Sequence, residues 1–552
     1  MNKIAITFIL LFFFTLSSSA QNEAPKKNKG TFSGNLQTQA SLFLEDTLIG
    51  ATNFPQYDST QISTENWLRL NYSNWGFDFG LRLDAFNKSN LINPNGGSYS
   101  AAGIGYWHIH TAQGKFDITL GHIYDVIGTG IIFRSYQERG LFIDNALIGA
   151  RLEYKLNNDW SIRGYVGKNK FLFGTKAPLV KGGAIEGYIA GKEGSQFSMS
   201  PGFGVINRTF DDGTMEELVA VLKNYLEIDR FQPEWEVLAF SLYNTVNFGK
   251  FNWYTEAAYK TKDVIFDMNA TRSLFSGEQS AGKYVLTPGS VLYSTISYAN
   301  KGLGISLEGK RTENFIFRST PFDRFNEGFL NFIPPMNRQS SYRLVARYLP
   351  ATQELGELAF QADIRYRLNK KWSFLVNMST ISTLDNQRLY QELYTAVTYK
   401  KRGKYTLTAG LQFLEYDQGI YQEAGLPIVN TITPYLEFLY KFDRKTSIRS
   451  EWQYLNTDED FGSWVFGLVE VGFAPQWLIT IADMYNIDPS PNSPGPTDKK
   501  VHYPTVAVSY NYKTHRFSLS YVKQVEGVVC TGGVCRLEPA FSGVRFTLNS
   551  TF

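Results

Sequence analysis

Short segments in which apolar and polar residues alternate recur from residue 31 to the end of the chain. The segment 357–368 sets Leu358, Phe360, Ala362, Ile364 and Tyr366 against Gln361, Asp363, Arg365 and Arg367. Successive side chains of a strand point to opposite faces, so each segment predicts a strand with one apolar and one polar face. There are about two dozen such segments, most of them near the ~10 residues that a tilted strand needs to cross a bilayer.

The connections between these segments alternate in length. Short turns, such as those at 73–76 and 156–159, alternate with long loops rich in Gly, Asn, Asp and Pro, such as 208–236 and 488–501. Outer-membrane barrels have this asymmetry, whereas a soluble sandwich or propeller gives no reason for it. Residues 31–552 are therefore predicted to form an all-β fold, a transmembrane antiparallel β-barrel of about 24–26 strands within a range of 18–26, with short periplasmic turns and long extracellular loops.

The last ten residues, GVRFTLNSTF, alternate up to an aromatic final residue. Val544, Phe546 and Leu548 are predicted to face lipid, and Phe552 is predicted to lie in the aromatic belt at the membrane surface. A terminal aromatic residue on the last strand also resembles the signal that the barrel-assembly machinery reads. Aromatic residues make up 15% of the chain, which suits a protein with such a belt.

The first twenty residues have the pattern of a secretory signal peptide, with Lys3, an apolar run from Ile4 to Leu16, and small residues before Gln21. A single-pass anchor is the alternative. Residues 21–30 would then form a short periplasmic segment, and the Sec route would deliver the protein to the outer membrane of a Gram-negative cell, in contact with the lipid bilayer and lipopolysaccharide. The near balance of 54 basic and 51 acidic residues gives no electrostatic case for binding nucleic acid.

Counting strands leaves the segment 314–340 ambiguous. A strand at 303–313, counted from the N-terminus, and a strand at 341–350, counted back from the C-terminus, should both run outward. Consecutive strands of such a barrel alternate in direction. The segment 314–340 therefore contains either one more strand, which gives about 26, or a segment that crosses the lumen, which leaves about 24.

Two cysteines, Cys530 and Cys535, flank a Gly-Gly pair in VVCTGGVCRLEP. In an oxidising compartment this pattern favours a disulfide that closes the tip of a hairpin. Free thiols are one alternative. A metal site is the other, but it would need two more ligands, and the motif contains no further Cys or His.

Two stretches of the chain carry a family resemblance. They are HIYDVIGTGIIFRSYQERGLFIDNALIGARLEY at 122–154 and VEGVVCTGGVCRLEPAFSG at 525–543. The chain resembles an uncharacterised family of outer-membrane β-barrel proteins from the Bacteroidota over nearly its whole mature length. The resemblance implies a fold and a location but no activity.

The lumen of a barrel this wide exceeds what inward side chains can fill, and residues 21–30 are too few for a separate plug domain. Three segments are candidates to narrow it: 127–145, a predicted helix at 214–226 whose capping box is Thr214 and Glu217, and 314–340. The first contains the residues expected to form a charged constriction, namely Gly128, Gly130, Arg134, Glu138, Arg139 and Asp144. An ordinary surface loop is the alternative for 127–145, and structural cover over neighbouring loops is the alternative for the helix.

The predicted lumen wall is rich in arginine. The candidate lumen-lining residues are Arg69, Arg82, Arg151, Arg163, Arg343, Arg347, Asp363, Arg365 and Arg367. Arg343 and Arg347 are expected on a strand beside the one that carries Arg365 and Arg367. Charges that line a pore select solutes, but these arginines could instead pair with carboxylates and serve the fold.

Catalytic and metal sites have little support in the sequence. His108 and His110 share the predicted inner face of one strand, but no nucleophile and no third ligand accompanies them. We therefore expect no enzyme activity and no cofactor.

The sequence favours a passive channel for small hydrophilic solutes. The alternative is a barrel scaffold, sealed by its own segments, that docks a partner in an envelope assembly or secretion complex. Passage of hydrophobic ligands through the wall is a third possibility.

Overall fold

The structure is a computed structural model, and it describes most of the chain. The described residues are 30–91, 97–324, 326–491, 500–531 and 534–552. The predicted signal peptide and all but the last residue of the segment 21–30 lie outside them. Among the described residues, no helix is both long enough and apolar enough to cross a membrane.

Twenty-four antiparallel strands form one closed sheet, so the predicted β-barrel is confirmed with the smaller of the two expected strand counts. The strands are β1 Thr31–Phe43, β2 Ile62–Asn74, β3 Phe77–Ser89, β4 Tyr99–Gln113, β5 Phe116–Ile123, β6 Leu147–Lys155, β7 Trp160–Phe171, β8 Gly174–Gly187, β9 Phe197–Thr209, β10 Glu236–Phe248, β11 Phe251–Ser273, β12 Gln279–Asn300, β13 Leu303–Glu313, β14 Gly356–Arg367, β15 Trp372–Ser382, β16 Arg388–Lys401, β17 Tyr405–Asp417, β18 Ile428–Lys441, β19 Thr446–Leu455, β20 Ser463–Phe473, β21 Trp477–Asp488, β22 His502–Tyr512, β23 His515–Gln524 and β24 Phe541–Thr551.

The first and last strands close the barrel. β24 pairs with β1 in antiparallel register, with Phe546 opposite Ala40. The terminal residue extends this seam, because the Phe552 amide donates to the Gly34 carbonyl at 3.0 Å and the Gly34 amide donates back at 2.8 Å. Closure leaves the sheet without a free edge, which is the condition for a sheet to span a bilayer.

The outer face of the barrel is apolar. In β18, the outward residues Ile432 and Leu436 are exposed, while the inward residues Thr433 and Tyr435 are buried. The exposed fraction of Leu242 on β10 reaches 64%, and that of Ile481 on β21 reaches 57%. An outer face with this composition is stable only against lipid, so the barrel lies in a bilayer.

The connections differ between the two ends of the barrel. The end where β1 begins and β24 finishes carries short turns, such as Trp75–Gly76. The other end carries long connections, among them 44–61, 124–146, 210–235 and 314–355. Among the described residues of 314–355, none belongs to a strand of the barrel. The expected strand at 341–350 was therefore wrong, because this stretch is folded into the interior of the barrel and its two-residue pattern does not come from sheet pairing.

The long connections contain short helices and strands. They are the α-helices α1 Asp212–Lys223 and α2 Gln418–Tyr421, the 3-10 helices Thr47–Ile49, Arg139–Leu141 and Glu227–Asp229, the π-helix Gln56–Thr60, and the short strands Val126–Ile127, Phe133–Arg134, Gln137–Glu138, Ile143–Asp144, Gly527–Thr531 and Val534–Glu538. A further short strand, Ile189–Ala190, continues β8 at the short-turn end and pairs with β9.

The strands β11 and β12 contain 23 and 22 residues and extend beyond their neighbours at the long-loop end. Helix α1 packs on this extension through Met215, Leu218 and Leu222, which meet Val264 of β11 and Tyr284 of β12. We call this projecting unit, residues 210–235 and 262–286, the crest. The helix predicted at 214–226 is thus present, and it covers the extended hairpin.

The helix begins earlier than its predicted capping box. Its N-cap is Asp211, whose carboxylate accepts hydrogen bonds from the Thr214 amide at 3.3 Å and the Thr214 hydroxyl at 2.5 Å. Burial alone would raise the pKa of Asp211, but these hydrogen bonds lower the pKa below its ordinary value. Because the pKa is lowered in the folded state, the cap stabilises the helix at neutral pH and is lost as the pH falls below about 4.

Replacing Asp211 with alanine is expected to destabilise the first turn of α1 by about 1 kcal/mol at pH 7, because the Thr214 amide loses its acceptor. Amide hydrogen exchange of residues 213–216 reports this change as faster exchange. Asp212, exposed in the same turn, provides the control as Asp212→Ala. Equal exchange rates in the two variants would contradict the assignment of the cap.

Candidate functional site: the interior of the barrel

Two connections fold back into the lumen. The first inner segment, 124–146, joins β5 to β6, and the second inner segment, 314–355, joins β13 to β14. Several of their apolar side chains are fully enclosed. Ile127, Ile131, Ile132, Phe315 and Phe317 have no exposed surface. Both segments enter from the long-loop end of the barrel, so the filling occupies the half of the lumen nearest that end.

The two inner segments bind each other through their backbones. The Arg134 amide donates to the Leu330 carbonyl, and the Phe332 amide donates to the Gly130 carbonyl, both at 2.9 Å. The Asn145 side-chain amide donates to the Phe329 carbonyl at 2.9 Å. The segments therefore form one unit rather than two independent loops.

An apolar layer joins this unit to the wall. The inner segments share one buried cluster with inward-facing residues of many strands. The wall residues of the cluster include Phe43, Tyr165, Val180, Ile206, Ala239, Val291, Ala359, Tyr390, Val429, Trp464, Met484, Tyr503 and Phe541. Wall side chains alone cannot fill a barrel of 24 strands, so the inner segments supply the remaining volume.

A buried ionic triad anchors the start of the second inner segment. Asp263 accepts from Arg208 at 2.6 Å and from Lys260 at 2.9 Å, and the three side chains are at most 1% exposed. The two cations also donate to the segment's backbone, Arg208 to the Arg318 carbonyl at 2.8 Å and Lys260 to the Ile316 carbonyl. Buried charges of the wall are thus stabilised by the backbone of the segment that they hold.

Further polar wall residues hold the rest of the second inner segment. Lys310 is paired with Glu357 at 2.8 Å and donates to the Pro334 carbonyl at 2.6 Å. Gln453 accepts from the Leu344 amide at 2.7 Å, and Gln412 donates to the Val345 carbonyl at 3.1 Å. These contacts come from β13, β14, β17 and β19, so the segment is fixed across a wide arc of the wall.

A glycine turn seats the first inner segment on Glu256. The Thr129 amide and hydroxyl donate to the Glu256 carboxylate at 2.8 and 2.6 Å. Gly128 has a φ of +57°, and a Cβ atom there would lie 2.6 Å from a Glu256 oxygen. Gly130 also has a positive φ of +104°. The predicted tight bends are therefore present, and the first requires glycine for both its conformation and its closeness to Glu256.

The four charged residues of the predicted constriction have protein partners. Arg134 stacks on the ring of Phe332 at 4.0 Å, and Glu138 accepts from the Gly140 amide at 3.2 Å. Arg139 contacts Gln37 and stacks on Trp67. Asp144 accepts from Arg82 and Lys170, both at 2.9 Å, and from Tyr124 at 2.6 Å. The six predicted residues lie together on one inner segment, where these contacts hold it in place.

The predicted arginines of the wall mostly pair with carboxylates. Arg82 binds Asp84 and Asp144, Arg151 binds Asp117, Asp125 and Glu153, Arg163 binds Glu186, and Arg365 binds Asp363. Arg69 stacks on Tyr106 at 5.0 Å, and Arg367 ends β14. Such pairing favours the alternative in which these residues stabilise the barrel rather than select solutes.

Two of these arginines were assigned to the wrong element. Arg343 and Arg347 belong to the second inner segment and not to a wall strand beside Arg365 and Arg367. Arg347 instead pairs with Asp460 at 3.1 Å. The error arose because the stretch 341–350 was interpreted as a wall strand. Its apolar and basic residues instead pack inside the barrel.

The half of the lumen near the short turns is polar. Hydroxyl pairs line it, such as Ser509 with Ser518 at 2.6 Å and Thr398 with Thr408 at 3.1 Å. The exposed fraction of Arg365 reaches 73%. The lumen therefore consists of an apolar layer near the long-loop end and a polar chamber near the short turns.

The histidines and cysteines were the other candidate residues for a metal site or a disulfide. His110 lies between Asp78 at 3.4 Å and Asp117 at 3.2 Å. Within the described ranges, no group of three or more His, Cys, Asp or Glu side chains could hold a metal ion. Cys530 and Cys535 are directly opposite each other in the short ladder of Gly527–Thr531 with Val534–Glu538.

Comparison with known proteins gives fold-level similarities. The chain is similar to the P pilus usher (PapC) translocation pore, with 10% identity over 94% of this chain and 99% of that chain, at a TM-score of 0.41. It is similar to a mutant ferric enterobactin receptor (PfeA) of Pseudomonas aeruginosa in complex with enterobactin, with 8% identity over 96% and 82% of the two chains, at a TM-score of 0.42. It is also similar to OccAB3 of Acinetobacter baumannii, with 9% identity over 71% and 93%, at a TM-score of 0.34.

Sequence comparison gives a family without an assigned activity. No curated protein matches the chain. A family model matches all of it, residues 1–552. The chain belongs to the Family of unknown function (DUF6029).

Proposed function

We propose that this protein is an outer-membrane barrel that is sealed by its own inner segments and serves as a scaffold that docks a protein partner in an envelope assembly or secretion complex. The observation that carries the proposal is the apolar layer across the lumen. Diffusion of small hydrophilic solutes needs a continuous polar path, and polar groups that enter an apolar region without hydrogen bonds are strongly disfavoured. The layer therefore disfavours the passive channel.

The crest supports a docking role. It rises from the long-loop end, beyond the paired parts of β10 and β13, and exposes large apolar side chains. Ile228 is 84% exposed, Phe275 80% and Met268 68%. Exposed apolar groups in such a position are typical of surfaces that bind other proteins. The buried cluster under α1 keeps the crest folded, so these side chains are presented on a defined surface.

Native gel electrophoresis of the protein from its own outer membrane tests the docking role. We expect the wild-type protein to migrate as a complex larger than the monomer. The triple variant Ile228→Ser, Met268→Ser and Phe275→Ser should migrate as the monomer. Trp75→Ser is the matched control, because Trp75 is 76% exposed at the opposite end of the barrel. A wild-type monomer, or a triple variant that stays in the complex, would rule out docking through the crest.

A channel that opens on a signal is the second candidate. It is favoured by the polar chamber, where the Arg365 side chain is 73% exposed and pairs with Asp363 at 2.7 Å. In this function, solutes would enter the chamber and pass only when the inner segments moved. The conductance measurements described in the Discussion separate a permanently sealed barrel from one that opens.

The predicted disulfide lies in the hairpin between β23 and β24, at the long-loop end of the barrel. The opposed positions of Cys530 and Cys535 support a cross-link within this hairpin. We expect neither cysteine of the folded protein to react with iodoacetamide, and both to react after reduction with dithiothreitol. Mass spectrometry of the alkylated chain counts the modified residues. Alkylation without reductant would show free thiols instead.

A further inference from the structure

The outer wall of the barrel contains a recess of about 980 Å³ that faces the membrane. It lies on β13 to β18, close to the long-loop end, and two rows of outward side chains line it. Adjacent strands pair these residues directly, so each row runs across the sheet from strand to strand. The lower row is Leu307, Ala362, Met378, Leu393, Phe413 and Ile432. The upper row is Phe360, Thr380, Gln391, Glu415 and Asn430.

The two rows differ sharply in chemistry. The lower row is wholly apolar, whereas amides, a hydroxyl and a carboxylate make up most of the upper row. The rows are two residues apart along each strand, which is about 7 Å. Above them, the loop that follows β19 adds Asp458 and Glu459 to the lining of the recess. The recess therefore changes from apolar to polar over about 7 Å along the strands.

The polar rim carries an excess of negative charge. Glu415 is paired with Arg388 at 3.3 Å. Glu459 accepts from the Thr457 hydroxyl at 2.7 Å and from the Asn430 amide at 3.3 Å, neither of which neutralises it. Asp458 is exposed at the rim. Three carboxylates beside one arginine attract a cationic group in this position, where the adjacent lipid lowers the dielectric constant.

The size of the recess indicates what occupies it. Its volume lies at the upper end of the roughly 300–1,000 Å³ that is usual for small-molecule sites. A membrane-spanning helix is about 30 Å long, so most of its length would lie outside a recess only two rows high. A molecule with flexible apolar chains and a compact polar head matches both the depth and the change in polarity.

We propose that this outer recess binds one membrane lipid whose headgroup carries a protonated amine. The acyl chains lie along the lower row, around Leu393 and Phe413. The ammonium lies between the carboxylates of Glu415 and Asp458. This inference does not depend on the docking function, because it concerns the outer wall and not the lumen or the crest.

Native mass spectrometry of the purified barrel tests the proposal with lipids of defined headgroup. The probes are dioleoylphosphatidylethanolamine, which carries an ammonium, and dioleoylphosphatidylglycerol, which has the same chains without one. We expect one phosphatidylethanolamine to be retained after detergent exchange, with an affinity about tenfold higher than that of phosphatidylglycerol. Equal retention of the two lipids, or retention of neither, would overturn the proposal.

Two variants and a matched control locate the site. Leu393→Ala with Phe413→Ala should abolish retention of both lipids. Asp458→Asn with Glu415→Gln should reduce retention of phosphatidylethanolamine to the level of phosphatidylglycerol. Ile481→Ala with Leu519→Ala removes two exposed apolar side chains from β21 and β23, outside the recess, and should change nothing. Heat-modifiable gel mobility confirms that each variant is folded. Unchanged retention in the recess variants, or the same loss in the control, would overturn the assignment.

Discussion

Asp263→Asn is expected to lower the free energy of unfolding by about 3–5 kcal/mol. Arg208 and Lys260 share the Asp263 carboxylate, and all three side chains are at most 1% exposed. The variant leaves two buried cations without a counter-charge, and they cannot regain water while the second inner segment stays in place. Urea unfolding of the protein in lipid vesicles, followed by tryptophan fluorescence, measures the change.

A solvent-exposed pair in the polar chamber provides the control for this variant. Asp363→Asn removes the partner of Arg365, which is 73% exposed, so the expected change is at most about 1 kcal/mol. The double variant Asp263→Asn with Lys260→Met should regain part of the lost stability, because it removes one of the two unpaired cations. A change below about 1 kcal/mol for Asp263→Asn would show that the triad does not hold the inner segment.

Replacing residues 128–144 with a short Gly-Ser link is expected to turn a silent barrel into a conducting one. The replacement removes Ile131, Ile132 and Phe133 from the apolar layer, as well as the Thr129 contact with Glu256. The ends of β5 and β6 are paired neighbours in the wall, with Ile123 opposite Leu147, so a short link can join them without distorting the barrel. Stepwise currents in a planar bilayer would report the opening.

Replacing an equally long segment outside the lumen controls for the shortening of the chain. Residues 266–282 form the tip of the extended hairpin on the crest, outside the apolar layer. Their replacement should leave the barrel silent. Replacing 315–348 together with 128–144 should give larger currents than replacing 128–144 alone, because the second inner segment fills more of the lumen. Silence in both inner-segment variants, with the barrel shown to be folded, would mean that other residues close the lumen.

The wall of the barrel could be predicted from the sequence because lipid imposes a simple rule on it. Outward residues that face the lipid tails must be apolar, and the short turns mark the strand ends. β18 follows this rule along most of its length. The seam between β1 and β24 follows from the alternation that continues to the last residues. These features depend on local pattern and on the solvent outside the barrel.

The filling of the lumen could not be predicted in the same way, because it depends on contacts between residues far apart in the chain. In β10, Val237 and Ala239 face the apolar layer inside, while Leu242 faces lipid outside. Apolar residues on both faces of a strand leave its inward side ambiguous. A sign of the filling was nevertheless present in the apolar run at 131–133, which lies in a connection rather than a strand.

The roles of the charged residues were also hard to predict from the sequence. Lys260 and Lys310 were not singled out, yet they anchor the backbone of the second inner segment at Ile316 and Pro334. An inward lysine in a barrel normally faces water, and only the folded segment makes it a buried donor. Arg343 and Arg347 show the reverse error, because their stretch mimics a wall strand while lying inside.

The most direct test of the sealed barrel is the single-channel conductance of the full, unaltered protein, refolded and inserted into a planar bilayer. Heat-modifiable gel mobility first establishes that the barrel is folded. The apolar layer predicts that inserted barrels carry no steady current, and that current appears only when the inner segments are removed. A steady ohmic current through the unaltered protein, equal in size to that of the 128–144 replacement, would contradict the account and restore the passive channel.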